Sequence, residues 1–178
     1  MENWGCMHFA SGYLLVSKKT ALHRKQRIVR LIGHEIGHSW FGDLVTISSF
    51  KYLWLKEGFV RYLEYVFTNH LFPEWDYWRH FLQEIYFGAM EADTPGSSHP
   101  VEFIAQFARD IHDSFDLISY GKGACVVRMI CSFIGFDKLW ASLSSLMFNF
   151  KFKHIKTEDF WEVLSKESNM DIANLMVG

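Results

Sequence analysis

The spacing of hydrophobic positions predicts a chain that is mainly helical. From about Leu22 onward, apolar residues recur at steps of three and four, which is the period of an amphipathic helix. The predicted helices cover residues 22–41, 52–70, 74–92, 110–135, 138–150 and 157–167, with a short tail after them. Residues 44–48 make a short, largely apolar segment, which predicts either a connector or a short strand.

The segment before the first helix predicts a small N-terminal β element. Residues 6–16 are apolar and short, and Gly5 and Ser17 bound them. A short apolar run between turn-forming residues is typical of a strand. We therefore predict one or two strands within residues 1–20, at the edge of a fold that is otherwise helical.

Single residues predict where several helices begin and end. Gly42 is a plausible end for the first helix, and Pro73 stands just before the third, where proline suits the first turn. Gly121 and Gly123 predict a break within 110–135. Thr157, with acidic residues in the turn that follows it, predicts the cap of the last long helix.

Composition indicates one folded domain. The chain has 178 residues, of which 49% are apolar, so it can bury a sizeable core and is not disordered. Eighteen basic and twenty acidic residues give a net charge of −2, which argues against nucleic acid as a partner. The longest apolar run, 124–136, is interrupted by Arg128 and is shorter than a membrane span of about 18 residues.

The N-terminus and the cysteines predict a cytoplasmic protein. The first ten residues lack the basic stretch followed by an apolar one that marks a secretory signal. Cys6, Cys125 and Cys131 are few and odd in number, which suits a reducing compartment and no disulfide framework.

The motif His34-Glu35-Ile36-Gly37-His38 lies on the first predicted helix. Histidines at positions i and i+4 project from one helical face, so both imidazoles can reach a single Zn²⁺. Glu35 lies one residue round the helix, where it can take a proton from a metal-bound water. The alternative is a pair of structural or surface histidines on an ordinary amphipathic helix.

The second predicted helix supplies a third ligand. Catalytic zinc needs three protein ligands and one open position. Eighteen residues intervene between His38 and Glu57, and the short connector among them predicts that the two helices pack side by side. Glu57 is therefore the predicted third ligand of one Zn²⁺.

Glu64 lies seven residues after Glu57, on the same face of that helix. We predict that it accepts the free N–H of one zinc-bound imidazole and fixes the orientation of the ring. The alternative is a solvated glutamate. The remaining histidines lack comparable spacing and are interpreted as structural or surface residues: His8, His23, His70, His80, His99, His112 and His154.

Several segments occur in the order found in a known family. They are residues 1–5 (MENWG), 34–42 (HEIGHSWFG), 53–59 (LWLKEGF) and 115–124 (FDLISYGKGA), with 44–46 (LVT) and 98–100 (SHP) beside them. In these segments the chain resembles the M1 family of zinc aminopeptidases, in the gluzincin clan. The resemblance implies a truncated thermolysin-like catalytic core: one partial domain, with edge strands in 1–20 and a helical zinc-binding part in 21–178.

The resemblance implies a role for each matching residue of the centre. His34, His38 and Glu57 would hold one zinc ion. Glu35 would be the general base and later the acid that protonates the leaving amine. Tyr120 would donate its hydroxyl to the oxyanion of the tetrahedral intermediate, a role that suits a phenol because its pKa of about 10 keeps it protonated.

The resemblance also implies a substrate anchor. Glu2, with Asn3 beside it in the same motif, would bind the free α-ammonium of a peptide substrate. A carboxylate there explains selectivity for free N-termini, because an acetylated end leaves that charge unpaired. The family has a further carboxylate and further strands upstream of this position, so we expect Glu2 to be mobile in this chain.

The sequence departs from the family near the centre. Lys56 stands where the family has asparagine, and Asp43 replaces another asparagine. Residues 10–11 stand where the family tends to have a charged pair. The family's N-terminal β domain, β-sandwich and helical C-terminal domain have no counterpart in these 178 residues. The 17 Phe, 7 Trp and 7 Tyr then predict exposed apolar patches and poor solubility.

We therefore expect a zinc-dependent metalloaminopeptidase that releases N-terminal amino acids from peptides by means of zinc-activated water. One alternative is a truncated, catalytically silent paralogue that binds zinc or peptide. Another is an endopeptidase of the same clan, since an open cleft without an α-amine clamp could admit internal peptide bonds.

Overall fold

The computed structural model describes residues 1–96 and 98–176, and these are mainly helical. The α-helices are α1 (Leu22–His38), α2 (Leu53–Leu71), α3 (Tyr77–His80), α4 (Phe87–Ala92), α5 (Ala108–Asp113), α6 (Gly123–Ile134), α7 (Phe136–Phe150), α8 (Thr157–Ser168) and α9 (Ile172–Met176). A π-helical turn, Phe81–Tyr86, joins α3 to α4, and another, Ile118–Lys122, continues into α6. Short 3-10 helices cover Ser11–Tyr13, Phe50–Tyr52 and Pro73–Trp75. Among the described residues, none of the helices has the length and apolarity needed to cross a bilayer.

Helix α2 lies at the centre of the fold. It packs against α1 and against α6, and it is apolar round most of its circumference, as expected of a helix buried on several sides. Phe59, from its middle, stacks on Phe41 with ring centroids 5.0 Å apart and meets Phe160 of α8 edge-on at 4.9 Å. Part of the aromatic excess is therefore core packing around this helix.

A pair of glycines brings α2 and α6 into backbone contact. A Cβ on Gly58 would lie 2.9 Å from Cα of Gly123, and one on Gly123 would lie 3.2 Å from Cα of Gly58. The predicted break near Gly121 and Gly123 is therefore wrong: helical structure runs through both residues, and Gly123 serves close packing. The break lies earlier, between α5 and the turn Ile118–Lys122.

The only sheet in the described part of the chain has two parallel strands, β1 (Val45–Ile47) and β2 (Lys153–Ile155). Val45 pairs with Lys153, and Ile47 pairs with Ile155. The strand interpretation of residues 44–48 is thus confirmed. Strand β2 was not predicted, because its three residues include two polar side chains and only Ile155 is buried.

The predicted strands within residues 1–20 are wrong. This segment holds the turn Ser11–Tyr13 and no strand. A strand needs a neighbour for its N–H and C=O groups, and Leu14, Leu15 and Val16 are all exposed. The small β element instead comprises β1 and β2.

Two predicted helix starts also need correction. The third helix begins at Tyr77 rather than near residue 74, because Asp76 takes a left-handed φ of 49° and separates it from the 3-10 turn. Thr157 is the first residue of α8 rather than its cap. The capping bond comes from Asp159, whose carboxylate accepts the Lys156 N–H at 2.9 Å.

Exposed apolar surface is confirmed for the described residues. Phe148 and Phe152 are 71% and 74% exposed, and Ile104 is 71% exposed. Other large apolar side chains, including Trp4, Phe133 and Leu175, are also exposed. Poor solubility stays a prediction.

Replacement of Gly58 by alanine is expected to destabilise the chain by about 1–3 kcal/mol. The added methyl meets the backbone of Gly123 at 2.9 Å, so α2 and α6 must move apart. The matched control is Gly88→Ala, another helical glycine, where the new Cβ meets its nearest neighbour, Leu117, at 3.7 Å. Urea unfolding measures both variants, and equal midpoints would contradict the role given to Gly58.

Candidate metal centre

The C-terminal half of α1 and the first turns of α2 place three ligand atoms together. The Nε2 atoms of His34 and His38 lie 3.1 Å apart, and Oε2 of Glu57 lies 3.5 Å and 3.4 Å from them. All three residues are buried. Gly37 permits this approach of the helices, because a Cβ there would lie 3.1 Å from Cγ1 of Val60. The structure thus brings together the three predicted metal ligands.

Two hydrogen bonds orient the imidazoles. Nδ1 of His34 donates to Oε2 of Glu64 at 2.9 Å, and Nδ1 of His38 donates to the carbonyl oxygen of Phe41 at 2.9 Å. Ionised carboxylate and carbonyl oxygens only accept, so we assign the proton of each neutral ring to Nδ1. Each Nε2 then presents a lone pair, and two lone pairs at this distance repel each other in the absence of a cation.

The donor set fits one zinc ion. Oε2 of Glu57 is buried and lacks a hydrogen-bond donor among the described residues, which is unfavourable for a carboxylate oxygen unless a cation neutralises it. Burial alone would raise the pKa of Glu57, but the imidazoles in their protonated form and the ammonium of Lys56 lower it well below its usual range, so positive charge at this position keeps the carboxylate ionised. Two imidazole nitrogens and one ionised carboxylate are a common set of catalytic zinc ligands.

Glu64 is buried and binds several charged or polar side chains, so it is not a solvated helix residue. Besides His34, its carboxylate binds Nη1 of Arg61 at 2.7 Å and Nε of Arg30 at 3.2 Å. Burial acts to raise the pKa of Glu64, but Arg61, His34 and Arg30 outweigh it and keep the group ionised. Its position suits the predicted role of holding one imidazole.

The two arginines were missed by the sequence reasoning. Arg30 lies four residues before His34, and Arg61 lies between the two glutamates of α2. Helical spacing places both on the faces that carry the centre. A search for basic residues three or four positions from each candidate ligand would have found them.

Glu35 is buried on α1 and faces the first residues of the chain. Its Oε2 lies 3.1 Å from the amino group of Met1, which also donates to the carbonyl of His8 at 3.2 Å. The start of the chain therefore lies beside Glu35. Glu35 lies next to a candidate ligand on α1, and the contact of its carboxylate is with Met1.

Tyr120 lies on the π-helical turn Ile118–Lys122. Its ring stacks on that of His34, with centroids 6.1 Å apart and planes 17° from parallel, and the guanidinium of Arg61 lies 5.2 Å from its centroid. Burial and the nearby carboxylate of Glu57 raise the pKa of Tyr120 above its usual value. The phenol is therefore protonated beside the candidate metal ligands, where it can donate a hydrogen bond.

Asp116 anchors the turn that carries Tyr120, and sequence reasoning missed it. Its Oδ1 accepts the N–H groups of Ile118 and Ser119 at 2.9 Å and 3.0 Å, and its Oδ2 pairs with Nε2 of His99 at 2.8 Å. An aspartate four residues before a candidate catalytic tyrosine is the available signal, since aspartate commonly caps helical turns.

The two residues of the predicted substrate anchor, Glu2 and Asn3, lie in different surroundings. Oε1 of Glu2 lies 2.5 Å from Nζ of Lys56, and the same ammonium lies 3.3 Å from Oε1 of Glu57. Glu2 is thus held at the centre by an ion pair. Asn3 is exposed, and its backbone carbonyl accepts the Cys6 N–H at 3.0 Å. The structure brings Glu2 to the centre and leaves the Asn3 side chain outside it.

Asp43, the other departure from the family, also lies close to these charges. Its Oδ2 is buried and lacks a hydrogen bond among the described residues. Burial and the negative charge of Glu2 raise the pKa of Asp43, although His38 and Lys56 oppose the shift.

The metal-free chain is expected to bind one Zn²⁺, and His38→Ala is expected to lose this binding, because one of three ligands is removed. Titration against a colorimetric zinc indicator measures the stoichiometry, and the rise in melting temperature with zinc gives an independent readout. His70→Ala is the matched control, since His70 is an exposed histidine at the other end of α2. Equal zinc binding by His38→Ala would contradict the assignment.

Substitution Glu64→Gln is expected to weaken zinc affinity about 10- to 100-fold, because an amide orients the imidazole less well. It is also expected to destabilise the metal-free fold by about 3–5 kcal/mol, since two arginines lose their shared carboxylate. Isothermal titration and urea unfolding measure the two effects. Glu74→Gln, at an exposed glutamate, serves as the control, and wild-type zinc affinity in Glu64→Gln would disprove the orienting role.

Comparisons with known proteins assign a family to the chain. The family described as Peptidase family M1 domain matches residues 1–178. Over 177 residues the chain is 37% identical to Aminopeptidase M1-D of Oryza sativa subsp. japonica, 39% to Aminopeptidase M1 of Arabidopsis thaliana and 37% to "Aminopeptidase 2, mitochondrial" of Saccharomyces cerevisiae. These alignments cover 99% of this chain and 20%, 20% and 19% of the relatives, so the chain spans about a fifth of their length. The match over the whole sequence shows that the chain belongs to peptidase family M1.

Proposed function

We propose that this chain carries the zinc-binding centre of an aminopeptidase, which hydrolyses the N-terminal peptide bond of peptides by means of activated water. The observation that supports this function best is the buried arrangement of His34, His38 and Glu57. In it, Oε2 of Glu57 faces two imidazole nitrogens and has no hydrogen-bond donor within the part of the chain that the structure describes. The names of the relatives agree with such an activity.

Three residues hold the metal in this proposal, and two groups hold the imidazoles. Zn²⁺, when bound, polarises the scissile carbonyl and lowers the pKa of water. The carboxylate of Glu64 and the carbonyl of Phe41 retain the Nδ1 protons of the two rings. The Nε2 atoms are thereby kept free for the metal, and the rings do not need to reorient when it binds.

Glu35 performs the proton transfers. Its carboxylate takes a proton from the attacking water and delivers it to the nitrogen of the leaving amine. Tyr120, whose hydroxyl is protonated at working pH because its pKa is raised, donates a hydrogen bond to the oxyanion of the tetrahedral intermediate. Glu2 accepts the α-ammonium of the substrate, which sets the scissile bond at the first residue.

The fold proposal is a partial, thermolysin-like catalytic core of the gluzincin type. Two ligands on one helix and the third on its packed neighbour are consistent with that arrangement. Residues 1–178 are then one part of a larger catalytic domain, with 21–178 as the helical zinc-binding portion. Cys6, Cys125 and Cys131 are all free thiols, which fits the cytoplasmic location that we propose.

A second candidate function is a catalytically silent remnant that binds zinc or peptide. The observation in its favour is that Lys56 already occupies the carboxylate of Glu2, so the substrate anchor is engaged within the chain itself. One equivalent of bound zinc, with no hydrolysis of any peptide substrate, would support it.

Substitution Glu35→Gln is expected to lower the hydrolysis rate of an aminoacyl arylamide by about 10²- to 10⁴-fold, because the amide cannot accept a proton from water. Release of the chromogenic amine measures the rate, and zinc content is measured in the same samples. Glu162→Gln, at an exposed glutamate of α8, controls for loss of a surface charge. Unchanged turnover in Glu35→Gln with zinc retained would rule out the proposed mechanism.

A further inference from the structure

Lys56 forms a bridge between the substrate anchor and a metal ligand. Its Nζ lies 2.5 Å from Oε1 of Glu2 and 3.3 Å from Oε1 of Glu57. The three charged groups therefore run from the candidate metal centre to the N-terminal segment. No role in the proposed reaction uses this ammonium.

The bridge is partly buried. The side chains of Lys56 and Glu2 are 18% and 19% exposed, and that of Glu57 is 3% exposed. Water therefore screens this ion pair less than a pair on the open surface. A hydrogen bond between two charged groups in such surroundings is stronger than one between neutral groups.

The backbone leaves room for the lysine. Gly42 has a φ of +135°, and a Cβ at this position would lie 2.9 Å from Cε of Lys56. A residue other than glycine would thus be strained there and would also press on the end of the lysine side chain. The loop between α1 and β1 therefore lies against the end of the Lys56 side chain.

Lys56 contacts the oxygen of Glu57 that does not face the candidate metal position. It binds Oε1, whereas Oε2 faces the two imidazole nitrogens. The contact is therefore compatible with a bound metal ion. At Glu2, by contrast, the ammonium takes the charge that a substrate amine would need.

We propose that Lys56 is a specificity-determining residue that occupies the Glu2 carboxylate and thereby weakens recognition of a substrate's free α-ammonium. This inference rests on the proposed function, in which Glu2 is the anchor. The lysine ammonium and the substrate ammonium are chemically alike, so they compete for one carboxylate. Peptides with an uncharged, acylated N-terminus do not enter this competition, so Lys56 reduces the preference for a free amine over an acylated one.

The test compares leucine arylamide with its N-acetylated form on the zinc-loaded chain. For the unmodified chain, the ratio of kcat/KM between the free and acetylated substrates is expected to favour the free amine only slightly. In Lys56→Asn and Lys56→Met the ratio is expected to rise roughly 10- to 100-fold in favour of the free amine, the range of one charged hydrogen bond. The gain is expected in KM, because Lys56 affects binding of the amine rather than proton transfer.

Lys51→Asn is the matched control. Lys51 also forms an ion pair, with Glu102 at 3.1 Å, but that pair does not include the candidate ligands or Glu2. The control is expected to leave the ratio unchanged. Addition of Glu2→Gln to Lys56→Asn is expected to bring the ratio back to the level of the unmodified chain or below it, because the released carboxylate is then absent.

A binding measurement separates this proposal from the proposed function. Leucine hydroxamate and its N-acetylated form bind zinc through the same group, and calorimetry on the zinc-loaded chain compares their affinities. If hydrolysis is absent but Lys56→Asn increases the preference for the free-amine hydroxamate, the proposed activity fails and the role of Lys56 stands. If both Lys56 variants leave the preference unchanged or reduce it, or if both lose zinc, the role of Lys56 is overturned.

Discussion

The buried carboxylate of Glu64 is the interaction on which the centre depends. It lies on α2 and binds Arg30 and His34, which both come from α1, together with Arg61 of its own helix. One group thus joins the two helices and also sets the direction of a candidate metal ligand. A buried carboxylate is stable only when it is paired and hydrogen-bonded. Loss of any one of these four residues would therefore leave a buried charge or hydrogen-bonding group without a partner.

The pairing of buried acids with positive charge is found elsewhere in the site. The carboxylate of Glu57 faces imidazole nitrogens through one oxygen and Lys56 through the other, while the phenol of Tyr120 stays neutral beside it. Glu64 is therefore paired with two arginines. Glu57 is paired with Lys56 and also faces two imidazoles that can bind a metal ion with it. Such pairing keeps the acids ionised in surroundings that would otherwise favour their protonated forms.

Helical periodicity explains which elements and which site residues could be predicted from the sequence. The bounds of α1, α2, α7 and α8 were predicted to within a few residues, because their apolar faces are regular. The spacing of His34, His38 and Glu57 predicted a cluster, and the structure brings the three together. Asp116 and Arg61 were not found, although both bond within their own helical turns, because the sequence reasoning looked for ligands and not for the groups that hold them. The strands proposed for the N-terminal segment failed for a different reason, because a strand is defined by its partner as much as by its own residues.

The sequence by itself determined the helical class of this protein, the face on which its histidines lie and the chemistry that two imidazoles and a carboxylate can perform. These depend on the period of the helix and on the identity of side chains, which are local properties. The tertiary structure alone decided that Glu64 is buried among arginines, that α2 and α6 meet at glycines, and that Lys56 reaches both Glu2 and Glu57. These depend on distances between elements far apart in the chain, which are decided only when the helices pack.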